Sequence, residues 1–168
     1  MDVKKAVPAI IKRDSIIGLL ASKTPQFTFG GSLVAKCIGI IKDTGQIPEI
    51  NWSAEIEAMS LLRDLIFKEY LTAARDVGDG GLITCLTKMC LDNDICFDIK
   101  VDSTDSLSFL FGEIAGAYIL AFDSEDNFQK ANELVSKSKY NFIWPLGTVF
   151  SSSKSPQISF NEWTLNLK

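Results

Sequence analysis

The pattern of apolar and polar residues predicts several β-strands. Ile95, Phe97, Ile99 and Val101 alternate with Cys96 and with charged residues, and this period of two is typical of a half-buried strand. A second segment, Ala117–Phe122, is apolar throughout, as expected for a central strand that is covered on both faces. Further strands are predicted at Ile10–Ile11 and Ile16–Leu20, which would form an opening hairpin, and at Leu71–Val77, Phe142–Val149 and Gln157–Leu167.

Helical spacing separates these strands. The clearest helix follows Ser53, which we expect to be its N-cap, and its apolar residues recur on one stripe: Ile56, Met59, Leu62, Leu65 and Ile66. Other helices are predicted from Ser32 to about Ile41, around Leu82–Met89, over Ser106–Phe111, and from Ser124 or Asp126 to about Ser138. The order of elements predicts an α/β (α+β) sandwich, in which helices flank a mixed β-sheet.

Composition describes an ordinary globular chain. Of its 168 residues, 46% are hydrophobic and 23% are charged, so we expect one domain that is long enough to bury a core. The net charge is −4, whereas nucleic-acid-binding domains usually carry a basic surface, so we expect no nucleic-acid partner. The sequence has no apolar run of the ~20 residues that a membrane span needs and no signal-peptide pattern at its start. We therefore expect a cytoplasmic protein without a membrane partner.

The chain contains no histidine. A Ser-His-Asp triad, a Cys-His dyad and an HExxH zinc helix are therefore excluded on this chain. Its cysteines, Cys37, Cys85, Cys90 and Cys96, lack the CxxC spacing of a zinc or redox site, and we expect buried free thiols. Composition thus favours a binding or scaffolding module, or one part of a larger catalyst.

Two glycine-rich turns each precede a predicted helix. The first is Phe29-Gly30-Gly31-Ser32, and the second runs from Asp76 through Asp79 to Gly80 and Gly81. Unpaired N–H groups at a helix N-terminus attract anions, and glycine allows a phosphate to approach the backbone closely. Asp76 and Asp79 are candidate Mg²⁺ ligands beside such a phosphate. The alternative is that both segments are simply turns with N-caps.

A third candidate is Glu113, within Leu110-Phe111-Gly112-Glu113-Ile114-Ala115-Gly116. It is an acid among apolar residues just before the predicted central strand, and acids in such positions are usually paired or functional. The alternative is a capping or surface acid.

Five segments together resemble one enzyme family, phosphoribosylformylglycinamidine synthase, of the aminoimidazole-ribonucleotide-synthetase-like superfamily. The resemblance covers nearly the whole chain and rests on residues 30–36, 47–49, 74–82, 110–113 and 146–149. It implies the C-terminal-domain fold of that superfamily, so residues 1–168 would be a single C-terminal domain of a larger multidomain ligase. The chain departs from the family pattern at Arg75, Gly78 and Ala117, where His, Ser and Arg are usual.

The resemblance also implies a function. The family converts formylglycinamide ribonucleotide to the amidine in purine biosynthesis, with ATP, Mg²⁺ and ammonia derived from glutamine. The implied partners are the remaining synthetase domains and a glutaminase subunit or domain, and the isolated domain would be inactive, with no catalytic residues of its own. The implied auxiliary nucleotide site, for ATP or ADP, comprises two sets of residues: the glycine turns (Gly30, Gly31, Ser32, Gly80 and Gly81) and the carboxylates (Asp76, Asp79 and Glu113), of which Asp76 and Asp79 would hold Mg²⁺.

Two alternatives remain open. One is a non-catalytic nucleotide-binding scaffold module, and the other is a relative of the hydrogenase-maturation proteins of the same superfamily. If the chain is one domain of a larger enzyme, we expect an exposed apolar surface where a companion domain docks, and this surface would allow the isolated chain to self-associate.

Overall fold

A mixed β-sheet forms the centre of the structure. The structure is a computed structural model, and it describes residues 3–30, 32–38, 47, 49–91, 95–99, 106–151, 157–161 and 163–166. Over these residues the strands are β1 (Ile16–Ser22), β2 (Ala73–Asp76), β3 (Ile95–Ile99), β4 (Tyr118–Phe122), β5 (Asn141–Ser151), β6 (Gln157–Phe160) and β7 (Trp163–Asn166). The helices are α1 (Leu33–Ile38), α2 (Trp52–Phe67), α3 (Gly81–Leu91), α4 (Ser106–Phe111) and α5 (Glu125–Ser136), and a short 3₁₀ helix covers Val3–Lys5.

The strand order across the sheet is β2-β4-β1-β5-β3-β6-β7. Each neighbouring pair is antiparallel except β3 and β6, which run parallel with Phe97 opposite Ile158. The predicted mixed sheet is therefore confirmed.

Each face of the sheet packs against its own pair of helices. Successive residues of a strand point to opposite faces, so in β1 Ile17 and Leu19 enter one core cluster, whereas Leu20 enters the other. Helix α3, which contacts α4, packs against β3 and β6 on the first face. Helices α2 and α5 cover the second face through β1, β4 and β5. This arrangement confirms the predicted sandwich with flanking helices.

The predicted opening hairpin is wrong. Ile10–Ile11 forms no strand, and β1 is the only strand in the described residues before α1. The reason is that β1 is central and pairs with β4 on one side and β5 on the other, which leaves no free edge for a hairpin partner. The segment before β1 instead lies near β2, where the Pro8 carbonyl accepts the Ala74 N–H at 3.1 Å.

Helix α2 buries only part of the predicted stripe: Leu65 is buried, and Leu62 and Ile66 pack against the same core cluster. Its N-cap is Asn51 rather than Ser53, because Asn51 Oδ1 accepts the Ala54 N–H at 3.2 Å. The buried residues are Ala54, Ala58 and Leu65, whereas two members of the predicted stripe, Ile56 and Met59, are exposed. Both sides of this helix carry apolar residues, and the side with two alanines packs against the sheet.

Other predicted elements form close to their expected bounds. Helices α3, α4 and α5 are present, and the Ser124 hydroxyl caps α5 by accepting the Asn127 N–H at 3.3 Å. Helix α1 covers Leu33–Ile38, and the end of its predicted span, positions 39–41, lies outside the described residues, as does Val101 of the third strand. None of the helices in the described ranges is long and apolar enough to cross a membrane.

Candidate functional site

One carboxylate joins the two glycine turns. Glu113 Oε1 accepts the Leu33 N–H at 3.1 Å and the Gly80 N–H at 3.0 Å. Leu33 is the first residue of α1, and Gly80 immediately precedes α3. The two turns are far apart in sequence, yet their helix N-termini converge on a single oxygen atom.

Backbone contacts hold Glu113 in this position. Its N–H donates to the Thr28 carbonyl at 2.9 Å, and the Thr28 N–H donates to the Glu113 carbonyl at 3.1 Å. Just before it, the Gly112 N–H donates to the Ser108 carbonyl at 2.8 Å, at the end of α4. The side chain is therefore aimed by fixed peptide groups on both sides.

The glycines of the second turn allow close backbone packing. Gly80 and Gly81 have φ values of 83° and 72°, in the left-handed region that side chains rarely adopt. A Cβ on Gly81 would lie 2.7 Å from the Gly112 carbonyl oxygen and 2.9 Å from that of Leu110. These glycines thus bring the start of α3 against the backbone that leads to Glu113.

The first turn caps its own helix. The Ser32 side chain is fully buried, and its hydroxyl accepts the Ala35 N–H at 3.1 Å. The Ser32 N–H donates to the Phe29 carbonyl at 3.0 Å. Gly30 is buried, and Gly31 lies outside the described residues. These contacts are the ones expected if the first turn is simply an N-capped turn and not a ligand-binding site.

Three of the backbone amides at the two helix starts already have acceptors within the chain. Glu113 accepts from Leu33 and Gly80, and the Gly81 N–H donates to the Gly78 carbonyl at 3.1 Å. Glu113 therefore acts as an internal capping anion, and an anionic ligand at this point would have to displace its carboxylate. The role of the glycine turns and of Glu113 in ligand binding stays a prediction.

A depression beside the second turn carries the other two predicted acids. Its volume is about 320 Å³, and it is lined by Arg75, Asp76, Gly78, Asp79, Cys85 and Lys88. Asp76 and Asp79 are both exposed. The depression thus combines two carboxylates with two cationic side chains, beside the N-terminus of α3.

The comparisons with known proteins give a family for the chain. Residues 23–156 match the model of the family described as AIR synthase related protein, C-terminal domain. The chain belongs to this family.

Curated relatives of this AIR synthase related domain include subunit PurL of phosphoribosylformylglycinamidine synthase. The Pelagibacter ubique protein is 30% identical over 143 residues, which are 84% of this chain and 19% of that protein. The Petrotoga mobilis protein is 31% identical over 154 residues, which are 90% of this chain and 20% of that protein. The chain therefore spans about a fifth of the length of these relatives.

Solved structures show the same AIR synthase related fold. Thermotoga maritima PurL complexed with FGAR matches with a TM-score of 0.77 at 12% identity, covering 98% of this chain and 29% of that one. A HypE–HypF complex matches with a TM-score of 0.60 at 16% identity, covering 95% of this chain and 54% of that one. Together with the PurL relatives, these matches confirm the resemblance noted in the sequence.

The carboxylates of this domain, Asp76 and Asp79, could hold Mg²⁺ only if a phosphate-containing ligand supplied further oxygen atoms. Within the part of the chain that the structure describes, no three His, Cys, Asp or Glu side chains are grouped to hold a metal. Mg²⁺ usually takes one or two carboxylates and completes its shell with phosphate oxygens and water. Asp76 and Asp79 would supply the carboxylates, so the depression fits a magnesium–phosphate ligand better than a resident metal.

Cys85 is a structural thiol in this domain. Its Sγ donates to the Asp76 carbonyl at 3.3 Å, and burial raises the pKa of the thiol to about 11. It therefore stays protonated near neutral pH and ties α3 to the end of β2.

The other cysteines divide between buried and exposed positions. Cys96 is a buried free thiol, as expected, but Cys37 is exposed. The expectation of burial is wrong for Cys37 because α1 presents that side chain to solvent. The side chain of Cys90 lies outside the described part of the chain.

The sequence did not predict three residues at this end of the domain. Lys88 follows Cys85 by three positions, a spacing that places both on one helix face, and both line the depression with Arg75. Glu55, near the start of α2, places its carboxylate against Gly116. Burial raises the pKa of Glu55.

Proposed function

We propose that the chain is the C-terminal domain of a phosphoribosylformylglycinamidine synthase of the PurL type. In that enzyme it would serve an ATP-dependent carbon–nitrogen ligase of purine biosynthesis by binding nucleotide and Mg²⁺, without supplying the reacting groups. The family match over residues 23–156 and the PurL relatives that cover 84% and 90% of the chain support this proposal. Thermotoga maritima PurL has been solved with ATP and with ADP.

The observation that carries the proposal is the depression at the start of α3. Asp76 and Asp79 line it together with Arg75 and Lys88. Two carboxylates favour Mg²⁺, and two cations favour phosphate oxygens. A magnesium-bound nucleoside phosphate satisfies both sets of charges at once, whereas a free metal ion or a free phosphate satisfies only one set.

Glu113 has a supporting role in this proposal. By accepting from Leu33 and Gly80, it fixes the turn that carries Asp79 relative to α1. The backbone of the second glycine turn would then lie beside the nucleotide. A bound phosphate that came closer to the helix N-termini would compete with the Glu113 carboxylate for the Leu33 and Gly80 amides.

The reacting groups would come from other parts of the synthetase. The chain has no histidine, so proton transfer near neutral pH needs other residues or other domains. We infer that its partners are the remaining synthetase domains and a glutaminase subunit or domain that supplies ammonia, and that it works in the cytoplasm. A solved Thermotoga maritima complex is named PurLQS.

A scaffold module that binds nucleotide without catalysis is a second candidate. The same depression favours it, because the proposed ligand contacts require no chemistry. The two candidates share a binding site and differ in whether the parent enzyme needs it. A hydrogenase-maturation function has only a fold-level likeness at 16% identity to support it.

A domain replacement tests the proposal. The matching domain of the Petrotoga mobilis relative would be exchanged for this chain, and ATP-dependent amidine formation from FGAR and ammonia would be measured. We expect activity in the hybrid and a loss of about tenfold or more with Asp76→Asn plus Asp79→Asn, since both charges that hold the metal are removed.

The matched control is Asp64→Asn, at an exposed site of α2, which should retain full activity. A folded hybrid without activity would contradict the synthetase assignment. Full activity in the double variant would favour the scaffold module.

A further inference from the structure

Helix α2 carries an exposed apolar stripe on the side that faces away from the sheet. Trp52 is 69% exposed, Ile56 65%, Met59 54% and Phe67 63%. Arg63, which is also exposed, completes the stripe at the same helical spacing. The buried residues of α2 lie on the opposite side, so the core of the domain makes no use of this stripe.

The stripe is symmetric about its own middle. Trp52 and Phe67 are equally far from the point between Met59 and Ser60, and so are Ile56 and Arg63. Two such helices placed antiparallel would therefore set Trp52 of one chain opposite Phe67 of the other at both ends. Ile56 would face Arg63, and the two Met59 side chains would meet at the centre. A surface that matches itself under a two-fold rotation is what an isologous dimer requires.

The residue types also suit an interface. In the antiparallel arrangement, each Trp52 ring would face Phe67 of the other chain, about one helical turn from the Arg63 of that chain. Aromatic rings pack favourably on one another, a guanidinium is attracted to an indole face, and Trp and Arg are enriched among residues that dominate binding energy. The aliphatic part of Arg63 would cover Ile56 while its charged end reaches the indole.

We propose that α2 is a homodimer interface, in which a second copy of this chain packs its own α2 antiparallel across the stripe. The exposed parts of these five side chains amount to roughly 500 Å² per chain, or about 1,000 Å² for the pair. That area lies at the small end of specific protein interfaces. The dimer is therefore weak, with a dissociation constant on the order of tens of micromolar.

Charge reversal at the two-fold axis tests this geometry. Met59→Glu and Met59→Lys each place two like charges face to face, so each variant alone should be monomeric by sedimentation equilibrium, with self-affinity reduced about tenfold or more. An equimolar mixture of the two variants should form a heterodimer, because the introduced carboxylate and the introduced ammonium then meet across the axis. Such a recovery in the mixture requires that residue 59 of one chain lies next to residue 59 of the other.

The control is Leu107→Glu, which alters another exposed apolar residue, on α4, and should leave self-association unchanged. Circular dichroism would verify that each variant is folded. A wild-type chain that stays monomeric up to several hundred micromolar, or a mixture of the Met59 variants that stays monomeric, would overturn the proposal. The stripe would then be a surface for a different protein or domain.

Discussion

The amide nitrogen of Gly80 lies 3.0 Å from Glu113 Oε1, and this contact couples the start of α3 to the segment before β4. The same oxygen accepts the Leu33 N–H at 3.1 Å, so a single carboxylate caps two helices. The contact has a structural consequence because it fixes the turn of Asp79. The same turn borders the depression that we propose as a nucleotide site.

Removing the Glu113 carboxylate should loosen both helix starts. In Glu113→Ala, the Leu33 and Gly80 amides lose their acceptor, and hydrogen bonds to a charged partner contribute about 2 kcal/mol. We expect the free energy of unfolding to fall by about that amount, and by less in Glu113→Gln, which keeps one acceptor oxygen. Urea denaturation measures both. Glu133→Gln, at an exposed site on α5, is the control, and equal stability of the Glu113→Ala and control variants would contradict the capping role.

A methyl group at Gly81 should be poorly tolerated. The added Cβ would lie 2.7 Å and 2.9 Å from the Gly112 and Leu110 carbonyl oxygens, in a left-handed backbone conformation. Strain of this kind costs about 1–3 kcal/mol, so thermal unfolding of Gly81→Ala should occur at a clearly lower temperature. Gly78→Ala is the matched comparison, since its nearest new neighbour is Asp76 Oδ2 at 3.9 Å. Similar melting temperatures for the two variants would argue against tight backbone packing at Gly81.

The cysteines should differ sharply in reactivity. Burial raises the pKa of Cys85 to about 11, so it is almost entirely a thiol at neutral pH, whereas Cys37 is exposed. Because the thiolate is the nucleophile, iodoacetamide should label Cys37 rapidly and leave Cys85 unmodified in the folded protein. Mass spectrometry of the labelled peptides reads this directly, and full labelling in urea is the control. Rapid labelling of Cys85 under native conditions would contradict its buried, hydrogen-bonded position.

Glu57 should link stability to pH. Burial tends to raise its pKa, but hydrogen bonds from Ser138, Tyr140, Asn141 and Lys139 outweigh that effect and lower it below the usual 4.5. A group whose pKa is lower in the folded state stabilises the fold above its unfolded pKa, and that contribution is lost as the pH falls through the folded value. Solvent screens the charge at this partly exposed site, so Glu57→Gln should be less stable by about 1 kcal/mol at most at pH 7.

The gap between Glu57→Gln and the wild type should close as the pH falls below about 4. Urea denaturation at neutral, mildly acidic and strongly acidic pH measures the gap. A gap that stays constant over this range would show that the charge of Glu57 makes no contribution.

Local signals were sufficient for some elements. The run Tyr118–Phe122 is apolar and forms β4, an interior strand that pairs on both sides. The Ser124 hydroxyl accepts the Asn127 N–H, as expected for an N-cap. Each of these rests on the properties of a few adjacent residues. They could therefore be predicted without knowledge of the tertiary fold.

The wrong predictions concern features that depend on contacts between segments far apart in the sequence. In α2 both faces are apolar, and only the tertiary packing decides that Ala54 and Ala58 meet the sheet while Ile56 and Met59 stay exposed. The opening hairpin failed because β4 and β5 occupy both edges of β1. Pairing between distant strands is not encoded in either segment alone.

The sequence predicted several residues of the candidate site but not the contacts that those residues make. Glu113, Asp76 and Asp79 stand out in the sequence as acids near turns, but the bond from Leu33 to Glu113 spans 80 positions. The contribution of Arg75 and Lys88 depends on how α3 folds back beside β2. Only the tertiary structure brings these side chains together.

The most direct test of the central claim is a calorimetric titration of the whole chain with ADP in the presence of Mg²⁺. The account predicts saturable binding that disappears when EDTA removes the metal and weakens about tenfold or more in Asp76→Asn plus Asp79→Asn, while Asp64→Asn binds like the wild type. Equal binding by the wild type and the double variant, or an absence of binding up to millimolar ADP, would contradict it.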